Sequence, residues 1–428
     1  MEKPSGRKTF QLSGGVEVTW SWGTVGLKEL DWLGWDDFCR SQEIHSIFLE
    51  GRMMQTLMAC PERFIAALEW RRAGKLLGIA GVEDTTAESV NLDDHISSER
   101  FWFHAINRVV HGRDGRFRFR VRVVGTVLGS GVHGQCWSRD VAAVDAQRWL
   151  EETVFESVGI DGGRAPGVVM LKDEPINHEG PRTVRIPGWI PLEFDPEMVF
   201  HLPPDWTNFD AYLAELKTKA RTKINRILTL SESFEIRPWS LPQLEHGADV
   251  LIELYRKVYE RSGFRLGSLH AAELIASKRI WGDDFVVNVY YQDEKIMGFQ
   301  CAYVGAEETE AFFVGFDPEL IKTHAIYQRM LVEFICLGVS RRSKRVNMGR
   351  TALEIKSSVG ALPRRLQCDV RFRNRLFHRI VHAYTRGYEP AALTLRQPWK
   401  SDAYPLRVHS EFHPIIVTAP LVASPVHA

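Results

Sequence analysis

The run FVVNVYYQDEKIMGFQCAYVGAEETEAFFVGF, residues 285–316, decides the fold. Three segments rich in β-branched and aromatic residues (285–291, 296–304 and 309–316) are separated by the turn-like QDEK and GAEE. Short apolar runs bounded by polar turns read as strands, and the economical arrangement is an antiparallel meander. Upstream, ADVLIELYRKVYERSG (248–263) has apolar residues at helical spacing and stops at Gly263. Downstream, THAIYQRMLVEFICLGVSR (323–341) sets Ile326, Met330, Phe334 and Ile335 on one helical face, and KRVNMGR (344–350) reads as a further strand. The order is helix, three strands, helix, strand, helix.

The N-terminal half repeats this loosely. It offers a helix in FIAALEWRRAG (64–74), strands in KLLGIAGV (75–82) and RFRFRVRVVG (116–125), a helix in VDAQRWLEETVFESVG (144–159) and a strand in GVVMLKD (167–173). An internal duplication accounts for the pattern. The expected fold class is mixed α/β: two tandem domains, each a mixed, mostly antiparallel sheet flanked by helices. Their boundaries are expected at 1–201 and 202–390, with a tail at 391–428. Pro203 and Pro204 interrupt the pattern at the join, where Asn208 is placed to cap the next helix. The proline-rich tail lacks periodicity and is expected to be irregular and partly disordered.

A chain of 428 residues, 44% hydrophobic and 25% charged, is long enough for two cores. Lys plus Arg balances Asp plus Glu at 54 each, so any anionic partner must be met by a local patch. The six cysteines are scattered without a C-x-x-C pair, and no His cluster has zinc spacing, which argues against a disulfide framework or structural metal. That usage reads as a reducing, cytoplasmic interior. The first residues lack an apolar signal core, and no run reaches the roughly 18 apolar residues of a membrane span, so no span is expected.

Chemistry concentrates in VNMGRTALEIKSSVGALPRRL, residues 346–366. Thr351 followed by Glu354 fits a capping box. Ala352, Ile355 and Val359 then form an apolar stripe, and the helix should end near Gly360, with Pro363 preventing continuation. Lys356, at the stripe's edge, either snorkels to solvent or aims its ammonium into a cleft at the sheet's end. Arg350 either serves an anion together with free backbone amides or pairs with a surface carboxylate.

The region from NFDAYLAELKTKARTKINRI (208–227) through VNMGRTALEIKSSVGALP (346–363) resembles the FemAB-type branch of the GNAT acyltransferase superfamily, whose members carry two GNAT-like domains in tandem. Lys217 with Arg221 matches the basic K-x-x-x-R helix that opens the family's second domain. Lys356 with Gly360 matches its final K-x-x-x-G block. The resemblance implies transfer of an activated acyl or aminoacyl group to a small-molecule amine, with Lys356 stabilising the tetrahedral oxyanion. Glu354 and Asp317 are the candidate bases. No tightly bound cofactor is expected. The donor is acyl-CoA as co-substrate, an acyl-carrier protein or aminoacyl-tRNA, and no DNA partner is implied. A third reading is a non-catalytic GNAT-like scaffold that binds a ligand or partner.

Acetyl-CoA-using GNAT proteins hold pyrophosphate with Q/R-x-x-G-x-G/A, whereas the matching FDPELIKTHAIYQRML (316–331) has no glycine. VVGTVLGSGVHGQCWS (123–138) in the first half supplies Gly125, Gly129, Gly131 and Gly134, whose small size lets amides approach a phosphate. Before it, Arg116, Arg118, Arg120 and Arg122 alternate with Phe117, Phe119, Val121 and Val123. One face should be core and the other a guanidinium row that binds phosphate or guards an edge. KTKARTKINR (217–226) sets Lys217 and Arg221 on one helical face and Lys219, Lys223 and Arg226 on another, a solvated surface or a phosphate contact through Arg221. Tyr327 lines the same cleft or packs. Cys136 and Cys301 lack a His partner in sequence, so thiol nucleophilicity is not expected.

Overall fold

The computed structural model describes residues 5–90, 116–131, 133–156, 159–160, 162–163, 165–175, 187–261, 264–265, 267–385 and 394–403. In chain order the elements begin β1 (Gly6–Leu12), β2 (Val16–Trp22), α1 (Gly23–Lys28), α2 (Trp32–Ser41), α3 (Gly51–Ala59), β3 (Phe64–Arg72), β4 (Lys75–Val90), β5 (Arg116–Val124) and β6 (Gln135–Trp137). Then follow α4 (Ala143–Glu156), β7 (Val168–Pro175), β8 (Ile190–Glu193), β9 (Glu197–His201), α5 (Phe209–Glu215), α6 (Thr218–Leu230), β10 (Glu235–Pro238), α7 (Leu241–Tyr259), β11 (Phe264–Arg265) and α8 (Ala271–Trp281). The chain continues through β12 (Phe285–Gln292), β13 (Lys295–Val304), β14 (Glu308–Phe316), α9 (Leu320–His324), α10 (Ile326–Ser340), β15 (Arg345–Asn347), α11 (Leu353–Val359), β16 (Leu362–Arg364), β17 (Leu366–Phe372) and α12 (Arg375–Thr385).

These form two units that interleave in sequence instead of following one another at residues 201/202 and 390/391 as expected. The first comprises Met1–Glu193, Ser240–Asp283 and Gln367–Tyr388; the second comprises Phe194–Trp239, Asp284–Leu366 and Glu389–Ala428. Long-range pairing is the physical reason. β17, late in the chain, pairs antiparallel with β8 in the first sheet, and Glu273 of α8 reaches the Arg63 guanidinium at 3.1 Å in a fully buried ion pair.

In the first unit the sheet order is β1-β2-β3-β4-β5-β7-β17-β8. Residues 64–74, expected as a helix, are a central strand and its turn. Arg72 pairs with Lys75 across Ala73 and Gly74, whose φ values of 48° and 83° suit the type I′ hairpin turn, and β2 covers the other edge. Ladders on both sides override the helical propensity of Ala, Leu, Glu and Arg. The expected guanidinium row is corrected at Arg122, while Arg120 is half-buried. Arg122 is fully buried, forked onto Asp84 with Nε and Nη2 each 2.7 Å from a carboxylate oxygen, and Val121 and Val123 are buried on the opposite face. The side chains of Arg116 and Arg118 lie outside the described residues.

The second sheet runs β10-β12-β13-β14-β15-β9-β16, with β12-β13-β14 forming the expected antiparallel meander. Both units share one topology, a three-strand antiparallel meander, a helical crossover and a strand parallel to the last meander strand: β5 with β7, β14 with β15. This is the expected duplication, with β3 now equivalent to β12. Asn208 caps α5 by accepting from the Ala211 amide. The core on one face gathers Phe200, Tyr212, Ile335, Val346 and Trp399. Trp399 belongs to the stretch expected as a loose tail. Residues 394–403 are irregular, yet Trp399 is fully buried and its indole donates to Gly360 O at 3.0 Å. Beyond 403 the expected disorder falls outside the described residues.

Candidate functional site

The site grows from one departure from antiparallel pairing. β14 and β15 run parallel for Glu308↔Arg345, Thr309↔Val346 and Glu310↔Asn347; β15 then stops while β14 continues to Phe316. In open α/β sheets, ligands bind outside the carboxyl ends of parallel strands at such a change of direction. β9 continues the sheet antiparallel on the other side, with Val199 opposite both Asn347 and Leu362. Alternation then puts Glu310, Asn347, Glu197 and Arg364 on one face, opposite the face that carries Phe200 and Val346 into the core.

That face is charged and buried. Glu197 and Asn347 have no exposed surface, and Glu310 is 3% exposed. Asn347 Nδ2 donates to Glu197 Oε2 at 3.1 Å, while its Oδ1 accepts the Gly349 amide at 2.9 Å, so it links strand to following loop. Arg364 pairs with the other Glu197 oxygen. Arg350 sends Nη1 2.7 Å to Asp195 O.

The loop entering α11 is under strain. Gly349, Thr351 and Ala352 all take left-handed φ values of 67°, 65° and 48°, which for the last two is costly and typical of functional sites. The expected capping box is absent: Ala352 is the N-cap and no side chain caps the helix. Left-handed Thr351 cannot supply the extended N-cap conformation, and Glu354 is drawn outward to Arg396, with Arg396 Nε at 2.8 Å. Thr351→Ala should therefore change unfolding free energy by less than about 0.5 kcal/mol in urea titrations, against about 1 kcal/mol for a lost cap.

Lys356 does not snorkel. It is 4% exposed, and its ammonium turns back to donate to Gly349 O at 3.1 Å and to Arg350 O, tying down the strained loop. Burial lowers its pKa to about 7, although the carboxylates of Glu310 and Asp195 act to raise it. The helix ends as expected at Gly360, in left-handed conformation at φ 111°, where a Cβ would stand 2.2 Å from the Trp399 ring.

Of the other expected site residues, Glu354 and Lys217 meet the same stretch, at Arg396 and Gln397. Glu354 is exposed on its ion pair. Asp317 accepts the Glu319 amide at 3.1 Å in the turn after β14, on the order of 20 Å along the strand from Glu310. Lys217 is exposed and donates to Gln397 O at 3.1 Å, and Arg221 is half-buried on α6. Tyr327 packs in the first turn of α10, 5.9 Å from the Phe316 ring.

Gly129 and Gly131, expected at a phosphate, sit in the first unit. Gly129 packs on the Phe48 ring, and the Gly131 amide donates to Asp173 Oδ2 at 3.1 Å. The nearby Val127 amide donates to Glu83 Oε2 at 3.0 Å. Protein carboxylates take these two loop amides. Sequence reading missed Glu310, Glu197, Asn347 and Arg364. Their traces were Glu-x-Glu at 308–310 and Arg-x-Asn at 345–347, side chains of one face whose alignment depends on the parallel register.

No protein-family model matches the chain, and no curated protein matches it. Solved structures do. The crystal structure of FemX is similar at 10% identity over 83% of this chain and 99% of that one, with a TM-score of 0.44. A tandem GNAT protein from the clavulanic acid biosynthesis pathway is similar at 9% identity over 86% and 98%, with a TM-score of 0.45. A GCN5-related N-acetyltransferase from Sphaerobacter thermophilus is similar at 13% identity over 72% and 80%, with a TM-score of 0.38.

Proposed function

We propose that the protein transfers an activated acyl group to a substrate amine by direct attack, with the reacting carbonyl beside Lys356 where β14 and β15 part. One observation carries the reading. A lysine ammonium is buried and held by two backbone carbonyls beside a carboxylate-lined face, at the end of a parallel strand pair. A buried cation is costly unless it has a use, and a preorganised N–H aimed at developing oxyanion charge is such a use. Carbonyls take two of the ammonium's three N–H groups, and the third is assigned to the substrate oxygen.

In the proposed step the amine nitrogen attacks the carbonyl carbon and the π electrons move to oxygen, where Lys356 meets them. Collapse expels the leaving group, a thiolate if the donor is a thioester, while the amine's proton leaves to a base. Glu310, whose charge bears on the ammonium of Lys356, takes that role in place of Glu354 and Asp317. The donor is assigned to the second unit, where Lys356 lies, since carboxylates take the Val127 and Gly131 amides of the first.

The test is the thermal midpoint with acetyl-CoA, longer acyl-CoAs and free CoA, followed by thiol release on adding amines. A ligand at a hundred times its dissociation constant adds about 2.7 kcal/mol, a rise of a few degrees. A shift that depends on acyl length, with amine-dependent thiol release, supports the reading. No shift and no release removes acyl-CoA as donor. A donor requirement met only by charged tRNA, and abolished by ribonuclease, would establish the aminoacyl version.

A further inference from the structure

We propose that α12 is a docking surface for an anionic lipid bilayer. Its inner side is fixed: Phe377 and Val381 are half-buried, Phe377 lies 4.9 Å from the Phe372 ring, and the helix packs on β8. That leaves Arg375, Leu376, Arg379, Ile380 and Ala383 on the outer side, within an arc of about 140° at 100° per residue. The arc is divided lengthwise, with the two guanidinium groups along one edge and Leu376 and Ile380, 68% and 41% exposed, along the other.

Scattered exposed apolar side chains are normal, and the other large ones among the described residues (Val25, Leu33, Val144, Phe194, Leu230 and Val250) occur singly in their elements. Leu376 and Ile380 stand one turn apart and act together. Charge selects the partner. From Val370 to Tyr388 the sequence holds five arginines and two histidines and no Asp or Glu. Arg371 is engaged with Glu151 at 2.7 Å and Arg373 with Pro166 O at 2.8 Å, whereas Arg375 and Arg379 project from the outer edge. A helix with an apolar strip beside a basic edge lies in the headgroup plane of a membrane, the strip among acyl chains and the arginines on phosphates. The attachment proposed is peripheral, and no helix among the described residues is long and apolar enough to cross a membrane.

The experiment is co-flotation of the full chain with vesicles of phosphatidylcholine alone and with 30% phosphatidylglycerol, without acyl donor or amine, so its outcome is independent of the proposed reaction. The expected result is binding to the anionic vesicles only, weakened by salt. Each basic side chain near an anionic surface strengthens binding roughly five-fold, so Arg375→Glu with Arg379→Glu should weaken it by at least about 25-fold. Leu376→Ser with Ile380→Ser should also weaken it, and unchanged circular dichroism and melting would show that these surface variants fold. Absent binding, equal binding to neutral vesicles or binding indifferent to all four substitutions overturns the proposal. So does a dimer that the Leu376 and Ile380 variant dissociates without any vesicle binding, which would make the occupant a second copy.

Discussion

Arg122→Met should lower the unfolding free energy of the first unit by about 3–5 kcal/mol, the usual result of stranding one member of a buried ion pair. Arg122 and Asp84 are both 1% exposed or less. The guanidinium makes a two-bond fork to the carboxylate, sends Nη1 3.1 Å to Val154 O, and lies 5.0 Å from the Trp20 ring centre. Without it, Asp84 keeps the Ile160 amide at 2.9 Å as a donor but loses the guanidinium it is paired with. Methionine fills much of the volume, so cavity formation adds little. Arg122→Met combined with Asp84→Leu should recover most of the loss, because apolar pairs of similar volume replace buried ion pairs at little cost. Urea unfolding followed by tryptophan fluorescence checks both, and a single variant within 1 kcal/mol of wild type would sink the argument.

Lys356→Met is expected to reduce turnover by about 10²–10³, or 2.7–4 kcal/mol in barrier, the loss seen when one oxyanion donor is removed. Methionine keeps the length of the side chain and removes the charge. The same substitution has a stability signature that does not depend on finding the substrate. Burial depresses the lysine's pKa from 10.5 to about 7. Below pH 7 both folded and unfolded states hold the proton, and the cost of burying the charge is complete. Between about 7 and 10.5 the unfolded state keeps the proton while the folded state releases it, so stability rises with pH by up to about 1.4 kcal/mol per unit. Above 10.5 the gain is complete. Denaturation of wild type and Lys356→Met at pH 6, 8 and 9.5 should give curves that diverge in favour of wild type as pH rises. Parallel curves would mean that the ammonium is not desolvated. The part of turnover that depends on charged Lys356 should likewise fade above pH 7.

Much of this architecture is written locally. The meander at 285–316, the helix at 326–340, the Asn208 cap and the stop at Gly360 all rest on side-chain alternation, turn residues or capping within a few positions, and all appear in the structure. Where local preference misled, a longer-range contact outweighed it. Residues 64–72 favour helix on their own, yet β2 and β4 supply backbone partners on both sides and a left-handed turn joins them to β4. Thr351 and Glu354 spell a capping box, but the loop turns left-handed before α11 and Arg396, 42 residues later, takes the carboxylate.

The candidate site divides the same way. Lys356 stood out by its place before a helix-ending glycine, and sequence alone left open whether its ammonium reached water or a cleft. Only the tertiary structure placed Glu310 opposite Asn347, set Glu197 and Arg364 on the same face, and turned the lysine back onto Gly349 and Arg350. The reason is physical. Hydrophobic periodicity and turn chemistry act between neighbours in the chain, so one sequence is enough to read them. The register of a parallel pair and the desolvation of a charge depend on groups brought together from distant positions, and those exist only once the chain has folded.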